Sequence, residues 1–188
     1  LGNLFHELGD FERATAYFEK ALAAPPGTGS TTWALLESVA RIHLVLGRND
    51  LCLAVLDRIE ADARTELDRL SYEIRYAAHT RIHLLARLGQ TNRALSKSDD
   101  LLELVARAGD GLLLKQVQLT KAELLQRVGH TSAATALIAD IVPLLIGLSP
   151  EFYARSEQIL ACALISNGDC AAQAHYDRAR RIFEALGS

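Results

Sequence analysis

Methionine is missing from all 188 residues of this chain, position 1 included. We therefore expect the sequence to be a piece excised from a longer protein. Cysteine is scarce, and Cys52, Cys162 and Cys170 form no CxxC pair. Because three thiols leave one unpaired in any scheme of disulfides, a reducing, intracellular compartment is the simplest interpretation.

An excess of one charge is also missing. The 20 basic and 23 acidic residues are mixed along the whole chain and give a formal net charge of -3. Since phosphate binding draws on clustered Lys and Arg, nucleic acid is not expected as a direct partner. The longest apolar stretch, residues 138–148, is interrupted by Asp140 and Pro143 and is shorter than the ~20 residues that span a bilayer. We expect no membrane association and a cytoplasmic location.

Glycine recurs at regular intervals of about 40 residues, most often directly after Leu or Val. The positions are Gly9, Gly47, Gly89, Gly129 and Gly168. Each glycine follows an apolar-periodic segment of helical length and precedes another, as expected where glycine supplies the left-handed residue that ends a helix. No segment alternates with a period of two, so no sheet is expected. The pattern predicts five helical hairpins.

The first hairpin agrees with a known repeat at eight positions without a gap. They are Leu1, Gly2, Phe5, Gly9, Ala14, Phe18, Ala21 and Pro26. On these residues the chain resembles an array of tetratricopeptide (TPR) repeats. The resemblance implies an all-α, right-handed superhelix, or solenoid, of about five hairpins in a single domain spanning 1–188. The approximate repeats would be 1–26, 31–66, 70–107, 111–147 and 149–187, and the first of them would begin upstream of Leu1.

Small residues at fixed places explain why such hairpins pack. Two antiparallel helices approach closely where small residues face each other, so we expect Gly2, Ala14 and Ala21 to permit contact. Phe5 and Phe18 are expected to fill the space beside them. Later hairpins place Cys52, Ala94, Ala134 and Ala172 at the position of Ala14, and Leu56, Ile138 and Tyr176 at that of Phe18.

Three local signals complete the helical prediction. Ser30 or Thr31 could cap the helix that carries Trp33, and Ser149 before Pro150 is a typical helix start. His43 takes the place of Phe5 in the second hairpin and is expected to fill a site between helices. Residues 107–111 predict the turn between the third and fourth hairpins.

Several features suggest chemistry but lack the residues that the chemistry needs. Residues 27–32, GTGSTT, have neither the lysine nor the preceding strand of a phosphate-binding loop. His79 and His83 have a spacing that metals use, yet no third ligand is identifiable, so a surface or partner-contact role is favoured. Cys162 and Cys170 lie near His175 without an orienting carboxylate. We predict no catalytic residue, metal or cofactor.

The resemblance implies a non-catalytic scaffold that holds a protein or peptide on the concave surface lined by first helices. Counting back from the turn glycines selects charged and titratable residues at what we expect to be matching places along one groove. The candidates are Glu37, Arg41, His79, His83, Glu123 and Arg127. Histidines that titrate near pH 6.5 would make binding depend on pH between about 5.5 and 7.

Two broader expectations concern the parent protein and its partners. The later repeats resemble the degenerate arrays of large bacterial signalling or transcription regulators, which implies a regulatory segment. The alternative is an array that senses a small molecule and controls an attached effector domain, and titration calorimetry with metabolites separates the two. Leu1, Leu4 and Phe5 at the first repeat favour self-association. A sedimentation experiment that shows a monomer at high concentration would contradict self-association.

Overall fold

The computed structural model describes residues 2–23, 29–145, 149–166 and 168–187. Every regular element within these ranges is an α-helix, so the predicted all-α fold without a sheet is confirmed. The chain divides into two compact units, Leu1–Gln90 and Thr91–Ser188.

Six helices lie in the described part of the first unit. They are α1 (Gly2–Glu7), α2 (Phe11–Leu22), α3 (Gly29–Val45), α4 (Asn49–Asp62), the short α5 (Glu66–Arg69) and α6 (Tyr72–Arg87). α1 packs on α2, α2 on α3, and α3 on both α4 and α6. The described residues of the second unit form five helices: α7 (Thr91–Ala108), α8 (Gly111–Arg127), α9 (Thr131–Leu145), α10 (Pro150–Ser166) and α11 (Ala172–Ala185).

The division between the units falls inside the third predicted repeat, 70–107. Helix α6 therefore belongs to the first unit and α7 to the second. The other four repeats each place both of their helices in one unit, as the hairpins α1–α2, α3–α4, α8–α9 and α10–α11. That residues 1–188 form a single repeat domain stays a prediction.

Glycine ends the first helix of each predicted repeat, as expected. The five turn glycines have φ between 71° and 84°, a left-handed conformation that costs a residue with a Cβ about 1 kcal/mol or more. At Gly47 its own N–H donates to the Leu44 carbonyl at 3.1 Å, and the Arg48 N–H donates to the His43 carbonyl at 2.9 Å. This pair of bonds satisfies carbonyls that the helix end leaves without partners, and it recurs at the next three turn glycines.

The first hairpin shows why its contact residues are small. Ala14 is fully buried, and a Cβ built on Gly2 would lie only 2.7 Å from Cε1 of Phe18. An added Cβ would force the Phe18 ring to shift, so glycine at position 2 lets α1 approach α2 while the ring fills the space. Phe18 extends this contact to Val39 and Ile42 of α3.

The second hairpin repeats the arrangement with Cys52 in place of Ala14. Cys52 is fully buried and Leu56 nearly so, in one cluster that also includes Leu84 of α6. Burial raises the pKa of the Cys52 thiol to about 11, against the opposing charge of Arg81. The thiol is therefore neutral and acts as a small apolar group.

The second unit has the same kind of core. Ala122 of α8 and Ala134 of α9 are fully buried in a cluster with Ile138, to which α10 adds Ile159. The contact positions predicted from the sequence, Ala94 among them, are thus buried in this unit as well. The prediction that these small residues lie buried between helices is confirmed here, and that they set the helix approach stays a prediction.

Two predicted packing residues are exposed, and these predictions were wrong. Ala21 is exposed at the end of α2, so it is not a contact residue between helices. Tyr176 is 50% exposed and does not fill the core as Phe18 does. The packing pattern of the first hairpin therefore transfers only in part to the last one.

The predicted helix caps have different outcomes. Helix α3 begins at Gly29, which places Ser30 and Thr31 inside the helix and not at its cap. Ser149 is confirmed as a cap, since its Oγ accepts a hydrogen bond from the Phe152 N–H at 3.4 Å. This bond satisfies one of the N–H groups that the start of α10 leaves without a helical partner.

Two further local predictions are confirmed. His43 is buried, as expected for a residue that fills a site between helices. The turn at residues 107–111 is present, because α7 ends at Ala108 and α8 begins at Gly111. Leu1 and Pro26 lie outside the described residues.

Replacing Ala134 with Leu should overpack the contact between α8 and α9. The expected loss in the free energy of unfolding is about 1 to 3 kcal/mol, because a well-packed interior has no room for the added methylenes. Urea denaturation followed by circular dichroism measures this loss. Ala136→Leu, the same change at an exposed position of α9, is the control. Equal midpoints for the two variants would show that Ala134 is not a contact residue.

Candidate functional site

A buried carboxylate on α3 anchors the candidate site in the first unit. Glu37 is only 8% exposed, and its Oε1 accepts a hydrogen bond from Thr80 Oγ1 of α6 at 3.3 Å. The same oxygen lies 3.5 Å from Arg41 Nε, one turn further along α3. Glu37 thus links α3 to α6 through a buried hydrogen bond. It is too buried to contact a partner in the way that the sequence predicted.

Burial decides the ionisation behaviour of Glu37. Loss of solvation raises the pKa of this carboxyl above its ordinary value, and the charge of Arg41 and the Thr80 hydroxyl only partly oppose the shift. Because the folded-state pKa is raised, Glu37 favours the folded state most at acidic pH, and this contribution falls as pH rises through that pKa. Arg41 has a half-exposed side chain, so its guanidinium lies beside Glu37 but remains open to solvent.

The two predicted histidines form a pair on α6. The ring centroids of His79 and His83 lie 4.6 Å apart with an interplanar angle of 62°, an edge-to-face arrangement, and both residues are half-buried. Thr80, which holds Glu37, follows His79 directly, so the pair lies close to the Glu37–Arg41 tie. Among the described residues no cluster of three or more His, Cys, Asp or Glu side chains could hold a metal ion.

Two tyrosines continue the histidine pair toward the start of α6, and sequence reasoning missed them. Tyr72 and Tyr76 stack with ring centroids 4.2 Å apart and an interplanar angle of 29°. A sequence signal could have found them. Tyr76 follows Tyr72 by four residues, and His79 and His83 follow after three and four more, so all four positions share one helix face.

The second unit holds the other two predicted residues. Glu123 of α8 accepts from Arg155 of α10 through both oxygens, with Nε to Oε1 and Nη2 to Oε2 each 2.8 Å. This bidentate pair connects two first helices, as the Glu37–Thr80 bond does in the first unit. Arg127 is exposed near the end of α8. A single groove through all six residues would involve both units, and it stays a prediction.

The six residues do not occupy matching places, which corrects one expectation. Arg41, His83 and Glu123 each precede a turn glycine by six residues, but Arg127 precedes its glycine by only two. The α8 residue that matches Glu37 and His79 in this count is Leu119, which is fully buried.

Known structures resemble this chain in fold. No protein-family model and no curated protein matches this sequence. The structure is similar to that of BtubC (BKLC) from P. vanneervenii, with a TM-score of 0.77 at 18% identity over 100% of this chain and 79% of that chain. It is also similar to a putative kinesin light chain with TPR-like repeats from Podospora anserina, with a TM-score of 0.68 at 18% identity, covering 100% and 94% of the two chains.

A third similar structure is YrrB, a TPR protein whose structure is described as having an unusual peptide-binding site. The TM-score is 0.57 at 16% identity, over 96% of this chain and 82% of that one. This chain has a TPR-like fold. The resemblance inferred from the first hairpin is confirmed at the level of fold, together with the predicted class of helical repeats.

No described helix of this TPR-like chain is both long enough and apolar enough to cross a membrane. Its cysteines are all free: Cys52 is buried, whereas Cys162 and Cys170 are exposed. Exposure shows that these two do not serve as packing residues.

The last TPR-like hairpin contains a polar network that the sequence did not reveal. Glu157 of α10 is 3% exposed, and its Oε2 accepts from Arg178 Nε of α11 at 2.9 Å. His175 Nδ1 lies 2.7 Å from the same oxygen, and the Tyr153 hydroxyl also bonds to this carboxylate. In the first hairpin the buried Phe18 ring packs between the helices, whereas its counterpart in the last hairpin, Tyr176, is exposed. Here charged hydrogen bonds to Glu157 connect α10 with α11.

The network keeps Glu157 ionised. Burial alone would raise the pKa of Glu157, but the hydrogen bonds from His175, Tyr153 and Arg178, with the Arg178 charge, outweigh burial and lower it. A carboxylate with several donors is stabilised in its charged form. Glu157 thus has the opposite shift to Glu37, although both are buried, because only Glu157 has enough donors.

We expect Glu157→Gln to lower the free energy of unfolding by about 1 to 3 kcal/mol at neutral pH, because buried donors lose their charged acceptor. A lowered folded-state pKa means that the contribution is present above the unfolded carboxyl pKa of about 4.3 and is lost as pH falls through the folded value. Urea denaturation across this pH range measures it, with Glu184→Gln on the exposed side of α11 as control. A stability gap between the two variants that does not shrink with acidification would contradict the stabilising role of the ionised carboxylate.

Proposed function

We propose that this chain is a non-catalytic scaffold for protein–protein interaction, which binds a peptide or partner segment in the predicted concave groove lined by its first helices. The observation that carries the proposal is the α3–α6 surface. There Arg41, His79 and His83 are partly exposed, while the buried Glu37–Thr80 bond holds the two helices that present them. Such polar side chains on rigid helices are preorganised for recognition.

The TPR-like fold supports the same function. YrrB, which shares this fold, is described as having a peptide-binding site, and helical repeat arrays in general present extended surfaces to partners. In the second unit, Arg127 is exposed on the same helix as the fixed Glu123–Arg155 pair. Arg41 and Arg127 are the cations that we expect to contact a partner, each within its own unit.

We also propose a setting for this scaffold. Divergent repeats of unequal length support a regulatory segment of a larger bacterial signalling or transcription protein, acting in the cytoplasm. The free thiols of Cys162 and Cys170 are exposed, which agrees with a reducing compartment. Leu4 and Leu8 of the first hairpin are exposed apolar side chains that support self-association of the isolated chain. Sequencing the full reading frame tests whether the chain is a segment of a larger signalling or transcription protein.

Selection of a phage-displayed library of random peptides on the chain tests the function. We expect the enriched peptides to lose at least about fivefold in affinity, ~1 kcal/mol, for the variant that combines Arg41→Gln and Arg127→Glu. Fluorescence polarisation measures the affinity. Glutamine at position 41 removes the charge without placing a second carboxylate beside Glu37.

The matched control makes the same chemical changes on second helices. It combines Arg58→Gln of α4 with Arg93→Glu of α7, both at exposed positions. Circular dichroism verifies that both double variants keep their helicity. A library that yields no binder, or binders whose affinity is equal for both variants, would overturn the proposed function.

A further inference from the structure

Four ring-bearing side chains occupy one face of α6, at spacings of four, three and four residues. They are Tyr72, Tyr76, His79 and His83, which we name the α6 ring face. Residues at these spacings lie above one another along a helix. Tyr72 is 57% exposed and stacks on Tyr76, and His79 meets His83 edge to face. Tyr76, His79 and His83 are half-buried, so the face is exposed at its Tyr72 end. Large aromatic rings are more often buried, and an exposed one stacked on a second ring indicates a contact surface.

The groups around the α6 ring face offer hydrogen-bond donors and positive charge. The exposed Tyr72 hydroxyl can donate, and the half-exposed Arg41 guanidinium lies beside Glu37, which is bonded to Thr80 of α6. The carboxylate of Glu37 is buried and already accepts from Thr80. Glu73, the acidic residue of α6, is half-buried in the first turn, where the positive end of the helix favours it.

We propose that the α6 ring face binds a proline-rich segment of a partner protein that carries an acidic residue next to its prolines. This inference rests on the proposed function and names the chemistry of its ligand. Proline rings pack flat against aromatic planes, and the polyproline II conformation directs backbone carbonyls outward with no internal hydrogen bonds. Proline lacks an N–H, so such a segment offers acceptors without competing donors. The exposed Tyr72 hydroxyl is a donor that complements it.

The dimensions agree with this ligand. From Tyr72 to His83 the helix advances about 16 Å at 1.5 Å per residue. A polyproline II segment of about five residues has the same length at 3.1 Å per residue. The same Glu37 oxygen that accepts from Thr80 lies beside Arg41, so this cation is near the histidine end of the face. The prolines therefore contact the tyrosine end, and the acidic residue follows about three residues away, near Arg41.

Binding of a labelled synthetic peptide to the full chain tests the inference. The peptide carries a run of prolines and, about three residues on, an aspartate pair, and its affinity is measured by fluorescence polarisation. We expect Tyr72→Ala combined with Tyr76→Ala to weaken binding about tenfold or more, because aromatic anchors carry much of the affinity at such sites. Tyr176→Ala, the same change at another exposed tyrosine, should leave the affinity unchanged.

Two altered peptides separate the alternatives. Replacing the prolines with alanine should abolish most of the binding, and replacing the aspartates with asparagine should weaken it by a smaller factor. The inference is overturned if the proline peptide does not bind, if the alanine peptide binds equally well, or if the tyrosine double variant binds as tightly as Tyr176→Ala. If any of these occurs while library peptides still depend on Arg41 and Arg127, the proposed scaffold function stands and only this ligand chemistry is wrong.

Discussion

The close approach of two helices at a residue with little or no side chain is the contact on which this structure depends. Gly2 against the Phe18 ring shows the constraint most directly, because even one added carbon would lie 2.7 Å from the ring. Ala134 and Cys52 meet the same requirement in other hairpins. Since protein interiors are packed to the density of crystals, a larger residue at these places has no space to occupy. The other contacts of a hairpin are arranged around this point.

Close helices need short, well-defined connections, and the turn glycines provide them. A left-handed glycine after the last turn of each first helix reverses the chain. At Gly47, Gly89, Gly129 and Gly168 two N–H groups also satisfy carbonyls at the helix end. Polar side-chain contacts then link first helices to one another. Glu37 bonds to Thr80 in the first unit, and Glu123 pairs with Arg155 in the second. These contacts orient the neighbouring side chains that we propose to contact a partner.

Local signals made the helices, turns and contact positions predictable from sequence. A glycine with positive φ, or an alanine that faces the neighbouring helix, depends on residues within one hairpin, and the pattern of each hairpin is visible in its own sequence. Ala21 and Tyr176 were placed wrongly because their burial depends on what lies beyond the helix, which spacing alone does not specify. The capping assignments at Ser30 and Thr31 failed because the helix begins earlier, at Gly29.

The polar part of the candidate site was less predictable, because charge pairs join residues that are distant in sequence. Glu37 looked like a groove residue from its position, yet its partner Thr80 makes it an internal tie. Glu157 has no distinguishing sequence pattern, although His175 and Arg178 surround its carboxylate with hydrogen bonds. The tyrosines of the α6 ring face have a recognisable helical spacing, but the exposure of Tyr72 and its stacking on Tyr76 became visible only in three dimensions.

Chemical-shift mapping is the most direct test of the claim that the first helices carry the binding surface. Amide spectra of the isotopically labelled chain would be recorded during titration with a peptide enriched from the random library. We predict the largest shifts at outward residues of α3 and α6, such as Arg41, Tyr76 and His83, with little change along α4. Shifts concentrated on α4 and absent from α3 and α6 would contradict the claim.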